Sequence, residues 1–267
     1  MHPASSHRSK ASLLAALVAA GLSCGAASMV RAGDTALPAC QDRVVRLENG
    51  AATLINTQTQ VALKVTPVGP NGSVVASSKC CFYAVVDPGG AIDVIDGATG
   101  LTFSHSAPVG DNARVEFSPD WCGVAIVNPG GSVIVLNLDN GKSVTSSPVG
   151  TSPSVVWGPA GCLFAIVSPF GSVIVANGMT GTLLPGASPV NGGVRVEFSP
   201  DGCLYAIIQP GGSVLVYKTA TGALVESRSP VGENVKVTFG PDCTFTITDE
   251  PTPVRSSSWA LLKRRYR

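Results

Sequence analysis

The chain has 267 residues, 13% of them charged and 45% hydrophobic, with 30 glycines and 20 prolines. That composition excludes a disordered polymer, and the length allows one large domain with its own core. Residues 1–32 carry three basic and no acidic residues and residues 254–267 carry five basic and none acidic, leaving 10 basic against 17 acidic in the body from 33 to 253. An acidic body argues against nucleic acid as a partner.

From the N-terminus, Arg8 and Lys10 precede an apolar run from Leu13 to Leu22, and small residues lead on to Val30-Arg31-Ala32. This layout predicts a signal peptide over 1–32, with a run too short for a permanent membrane anchor. Gly21-Leu22-Ser23 before Cys24 is a poor match to a lipoprotein box. No second apolar stretch is long enough for an integral membrane span, so the expected location is secreted or periplasmic.

The body reads as short strands. Residues 43–47 (RVVRL), 51–56 (AATLIN) and 60–66 (QVALKVT) are three β-rich runs joined by polar turns. Four-strand units follow: SVVAS from Ser73, FYAVV from Phe82, AIDVI from Ala91 and LTFSH from Leu101, then ARVEF from Ala113, GVAIV from Gly123, SVIVL from Ser132 and KSVTS from Lys142. Two further units start at Ser154 and Val194, and VKVTF from Val235 and TFTIT from Thr244 end the pattern. The tail, 254–267, carries Trp259, Leu261 and Leu262 among its basic residues and reads as a solvated terminus.

Pro-Val pairs at Pro67, Pro108, Pro148, Pro189 and Pro230 recur every 40 or 41 residues, a supersecondary period. With the strands of a unit labelled a to d, the chain supplies five each of a, c and d, but six b. It opens at b and stops after b, so the a strand at 235–239 is the one the first unit lacks. The expected fold over 33–253 is all-β: a five-bladed β-propeller of four-stranded blades, its ring closed by pairing of the N- and C-terminal strands.

Phe198-Ser199-Pro200-Asp201-Gly202, then LYAII, a Gly-Gly turn, SVLVY and Thr219-Ala220-Thr221-Gly222, resemble the blades of WD-repeat and YVTN-type propellers. The resemblance covers about residues 40–249, and it implies that an Asp-Gly turn joins strands a and b and a Thr-Gly turn joins c and d. The Gly-His and Trp-Asp dipeptides of WD repeats are missing, and five blades is fewer than those families usually have. The resemblance speaks to shape, since a fold does not fix a function.

Cys40, Cys81, Cys122, Cys162, Cys203 and Cys243 fall at one position of the repeat. A metal would need thiolates converging within about 2.0–2.3 Å of one ion, whereas b strands of different blades lie several spacings of about 4.7–4.9 Å apart. No metal site is expected, and no CxxC or Cys/His spacing appears. Complementary ends predict a Cys40–Cys243 disulfide that locks the closing blade, with Cys122, Cys162 and Cys203 packed as small apolar residues. Cys80 makes the mature count odd, so at least one thiol is expected to stay free.

Catalytic candidates are few. His105 is the one histidine beyond the leader and sits at the end of an outer strand. Glu116 and Glu197 occupy equivalent a strands, and paired carboxylates suit glycoside hydrolysis. Arg114 and Arg195 lie two residues before them on the same face, which favours an ion-pair belt over a catalytic acid. No catalytic residue and no cofactor is assigned. One face should gather the d–a loops, with Asp111, Asn112, Glu233 and Asn234, and the b–c turns, with Phe170 standing where other turns carry glycine. These five are the candidate ligand-binding residues, for a protein or glycan partner. The expected role is a non-enzymatic binding or scaffold module; the alternatives are a glycosidase- or lyase-type enzyme using Glu116 and Glu197, or a carbohydrate-binding lectin.

Overall fold

The computed structural model describes residues 34–37, 40–107, 110–119, 123–147, 149–159, 162–187, 192–228 and 234–249. The expected signal peptide and basic tail lie outside them. Every described element is a strand. β1 (Asp34–Ala36), β2 (Arg43–Glu48), β3 (Ala51–Asn56) and β4 (Ala62–Pro67) form the first sheet. β5 (Ser73–Ala76), β6 (Phe82–Val86), β7 (Ile92–Asp96) and β8 (Thr102–Ser106) form the second. β9 (Arg114–Phe117), β10 (Gly123–Val127), β11 (Val133–Asn137) and β12 (Ser143–Thr145) form the third. The fourth holds β13 (Ser154–Trp157), β14 (Leu163–Val167), β15 (Val173–Asn177) and β16 (Thr182–Ala187). The fifth holds β17 (Arg195–Phe198), β18 (Leu204–Ile208), β19 (Val214–Lys218) and β20 (Leu224–Arg228). β21 (Val235–Phe239) and β22 (Phe245–Asp249) make a two-stranded hairpin. Each four-stranded sheet is an antiparallel meander in chain order, the blade of a β-propeller.

The second strand of each interior sheet is buried on both sides, which explains its unbroken apolar sequence. Tyr83 and Val85 face the first sheet with Val45 and Leu54, while Ala84 and Val86 face the third with Val124 and Ile126. Ala125 and Val127 turn the other way, to Phe164 and Ile166. Ala165 and Val167 meet Tyr205 and Ile207, and Leu204, Ala206 and Ile208 meet Val235 and Val237 of the hairpin. Five apolar cores thus join consecutive sheets. Among the described residues no core joins the hairpin to the first sheet.

Turns repeat as closely as strands. At the c–d turns, Oδ1 of Asn56, Asp96, Asn137 and Asn177 accepts from the backbone N–H two residues on, at 2.8–2.9 Å. At the a–b turns, Ser118 Oγ and Ser199 Oγ accept from the N–H of Gly123 and Leu204. These side chains supply the turn hydrogen bonds that Asx and ST motifs provide.

Two expectations are corrected. The first sheet does not borrow 235–239: β1 pairs with β2, Thr35 opposite Val45, and takes the innermost place. Three residues, DTA, carry no alternation that would announce a strand. The disulfides also run between neighbours, Cys40–Cys81 and Cys203–Cys243, so Cys40 and Cys243 are not joined to each other and Cys203 is not a free thiol. The Cα atoms of the two pairs are 5.3 and 5.7 Å apart. Each bridge joins the a–b turns of two consecutive sheets, equivalent positions of the repeat that lie side by side.

The b–c turns lock onto the d–a loops. Gly90 and Gly131 have φ of +82° and +92°, and a Cβ on either would lie 2.1 Å from the carbonyl oxygen of Gly110 or Gly150. Gly130, one residue earlier, has nothing within 4 Å. Urea unfolding should therefore show Gly131→Ala destabilised by more than about 1 kcal/mol, with Gly130→Ala within about 0.5 kcal/mol of the parent. Equal effects at both positions would disprove the contact.

Candidate ligand-binding face

Among the described residues, the loop face is built where d–a loops meet the b–c turns. Val149 N–H donates to Gly131 O, Ser168 Oγ bonds Val149 O, and Gly69 N–H donates to Asp87 Oδ2 at 3.2 Å. Pro88 and Pro129 lean on Gly69 and Gly110. Two clefts lie between these contacts. One, of about 270 Å³, is lined by Asn71, Ser73, Asp87, Pro88, Asp111 and Asn112 among others. Its neighbour, of about 240 Å³, is lined by Asn112, Arg114, Val127, Asn128, Pro129 and Ser152. Asn112 belongs to both.

The structure thus brings Asp111 and Asn112 into one cleft. Phe170, 64% exposed, stands on a b–c turn with its ring against Gly150. The neighbouring turns show why it is tolerated: the equivalent Gly130 faces open space. Asn234 is exposed just before β21, in neither cleft, and Glu233 lies outside the described residues. Arg114, Asn128 and Ser152 line the second cleft without having been among the sequence candidates. A signal existed for Asn128, since the first position of the b–c turns reads Asp87, Asn128, Ser168 and Gln209, polar every time.

Asn112 and Ser152 adopt φ of +70° and +59°. Gly193, at the equivalent place in the next d–a loop, adopts +95° without a side chain. Left-handed backbone costs a non-glycine residue energy and gathers at functional sites.

The inner-strand carboxylates are engaged. Glu116 Oε1 is 3.2 Å from Arg114 Nη2, and Glu197 Oε1 is 3.8 Å from Arg195 Nη1. Each arginine also donates onward, to Pro153 O and Val235 O. His105 Nδ1 lies 2.7 Å from Asp93 Oδ1 on the exposed outer strand β8.

Asp201, Cys203 and Cys243 have their polar side-chain atoms within 4.8 Å of one another. With the sulfurs joined, this group offers one carboxylate and no thiolate. Asp201 instead braces the a–b turn: hydrogen bonds from Ser199 Oγ, then from the Cys203 N–H, hold its carboxyl below the usual range. Cys80 and Cys162 are buried free thiols among the described residues. Burial, then the nearby Asp139, pushes the Cys162 thiol up.

No family model and no curated protein matches the chain. Among solved structures it is similar to Kuenenia stuttgartiensis hydrazine synthase, with 16% identity and a TM-score of 0.38, over 76% of this chain and 68% of that one. It is also similar to the C-terminal WD40 domain of Sif2, with 19% identity and a TM-score of 0.41, over 73% of this chain and 59% of that one. The repeated four-stranded sheets and their consecutive cores define the chain as a β-propeller repeat protein. No helix among the described residues is long and apolar enough to cross a membrane.

Non-reducing peptide mapping should recover Cys40–Cys81 and Cys203–Cys243 as linked peptides. Iodoacetamide should label Cys162 slowly in the native protein and quickly after unfolding. Because its pKa is raised, native labelling should set in at higher pH than for an ordinary thiol. A Cys40–Cys243 peptide, or fast labelling of native Cys162 at neutral pH, would overturn this assignment.

Proposed function

We propose that the protein is a secreted or periplasmic, non-enzymatic binding or scaffold module that meets a protein or glycan on its loop face. The observation that carries this reading is the pair of adjoining clefts at Asn112, where polar side chains are held on left-handed backbone. A purely structural loop gains stability from glycine at such places. The interior supplies rigidity and the loops supply variety, the usual division in repeat folds. Two disulfides fit an oxidising compartment, and the leader sequence agrees with it.

The glycosidase or lyase alternative asks Glu116 and Glu197 to hold or move a proton. Each carboxylate is instead paired with an arginine of its own strand, Glu116 with Arg114 and Glu197 with Arg195, which leaves neither free to meet a leaving group.

Cell fractionation and capture test the proposal together. Processed protein should be found outside the cytoplasm, and the mature domain should capture a partner that an Asn112→Gly, Phe170→Ala double variant loses while its melting temperature is kept. Full-length chain retained in the cytosol, or hydrolytic activity abolished by Glu116→Gln with Glu197→Gln in a folded protein, would overturn it.

A further inference from the structure

We propose that the two clefts sharing Asn112 bind adjacent units of a neutral, polyhydroxylated chain, an oligosaccharide, with one sugar unit in each. This deepens the binding-module reading and rests on it. The first ground is Asn128, only 8% exposed, which lines the second cleft. Its Nδ2 donates to Ser132 Oγ, while its Oδ1 has no hydrogen-bond partner. Its counterparts are better served. Asp87 uses both carboxylate oxygens, on the N–H groups of Gly69 and Gly89, and Ser168 bonds Val149 O and the Phe170 N–H. A buried acceptor left unpaired costs stability, which favours a small turn of the side chain toward the cleft and a ligand donor. Rotating the amide by half a turn exchanges the roles but still leaves one end unpaired, to be met by a hydroxyl, which both donates and accepts.

The second ground is charge. The first cleft is lined by Asp87 and Asp111 with no basic side chain, which repels an anion. In the second, Arg114 is spent on Glu116 and Pro153 O. What remains beside the two carboxylates, which accept from hydroxyls, is amides, a serine hydroxyl in each cleft and the apolar edges of Pro88, Pro129 and Val127, a surface for a ligand with both hydroxyl and C–H faces.

The third ground is size and repetition. Each cleft is smaller than the ~300–1,000 Å³ of a drug-sized pocket, so each suits one ring. Neighbouring clefts made by a repeat suit a ligand that also repeats, the second unit binding at high effective concentration once the first is held.

Calorimetric titration of the mature protein with maltohexaose, cellohexaose and chitohexaose, and with hexagalacturonate as the anionic counterpart, tests this. At least one neutral hexasaccharide should bind, its monosaccharide much more weakly and hexagalacturonate not at all. Asn112→Gly touches both clefts and suits the left-handed backbone, so it should weaken binding by about tenfold or more without lowering the melting temperature. Ser152→Gly, which alters one cleft, should have the smaller effect. Binding insensitive to Asn112→Gly, preference for hexagalacturonate, or no binding by any neutral probe would overturn the proposal. If no sugar binds but a captured protein is lost on Asn112→Gly, the ligand class is wrong and the module stands. Capture unaffected by every loop-face variant would sink both.

Discussion

The two-sided burial of each second strand is the constraint on which the rest depends. Alternate side chains of Phe82–Val86, Gly123–Val127, Leu163–Val167 and Leu204–Ile208 serve two different cores, so a register slip of one residue would exchange both sets at once. Burying one large aliphatic side chain is worth about 1.5–3 kcal/mol against exposure. The disulfides, each closing a loop of 40 or 41 residues, contribute about 4 kcal/mol apiece in the chain-entropy picture. Five cores of several such side chains each therefore outweigh two bridges. The bridges tie the array at its ends, one joining the first two sheets and the other joining the fifth sheet to the hairpin.

Among the described residues, interior sheets have both faces covered and the terminal ones have a covering core on one face. On the first sheet the apolar face toward the second is sealed by Tyr83, Val85 and Ile95, while Val61, Leu63 and Val65, at alternate positions in and just before β4, remain exposed. The hairpin presents Val235 and Val237 inward and leaves Lys236 and Thr238 outward. Its Thr-rich outer side is compatible with water without another sheet upon it. This difference between inner and outer faces follows from strand alternation alone.

Strands were legible because both periods were strong: two along a strand, and 40 or 41 along the chain. The c strands, and the a strands from the second sheet onward, lie within a residue or two of where patterning places them, and Asp111 and Asn112 lie in the d–a loop before β9. What sequence did not reveal was of two kinds. β1 is too short to alternate, and its pairing depends on a vacancy beside β2 that only the folded sheet creates. The cysteine partners were hidden because periodicity identifies equivalent positions without stating which equivalents touch. The b–c turn polarity at Asn128 was visible, yet its orphaned oxygen arises from a missing neighbour, and absences of that kind have no sequence signature.

The asymmetry among near-identical turns bears on where binding should concentrate. A repeat fold gives every joint the same backbone, so its most economical surface would also be uniform, with glycine at each left-handed position and satisfied polar groups at each turn. Around the third sheet that uniformity breaks three times: Asn112 and Ser152 hold side chains where Gly193 holds none, and Asn128 keeps an unpaired atom where Asp87 and Ser168 do not. Each departure is tolerable alone, at a cost of order 1–3 kcal/mol. Together they lie on the walls of one cleft, beside a packed core that needs none of them. The stability of the flanking cores is what lets the loops carry that strain, and the strain in turn holds the polar groups in fixed directions.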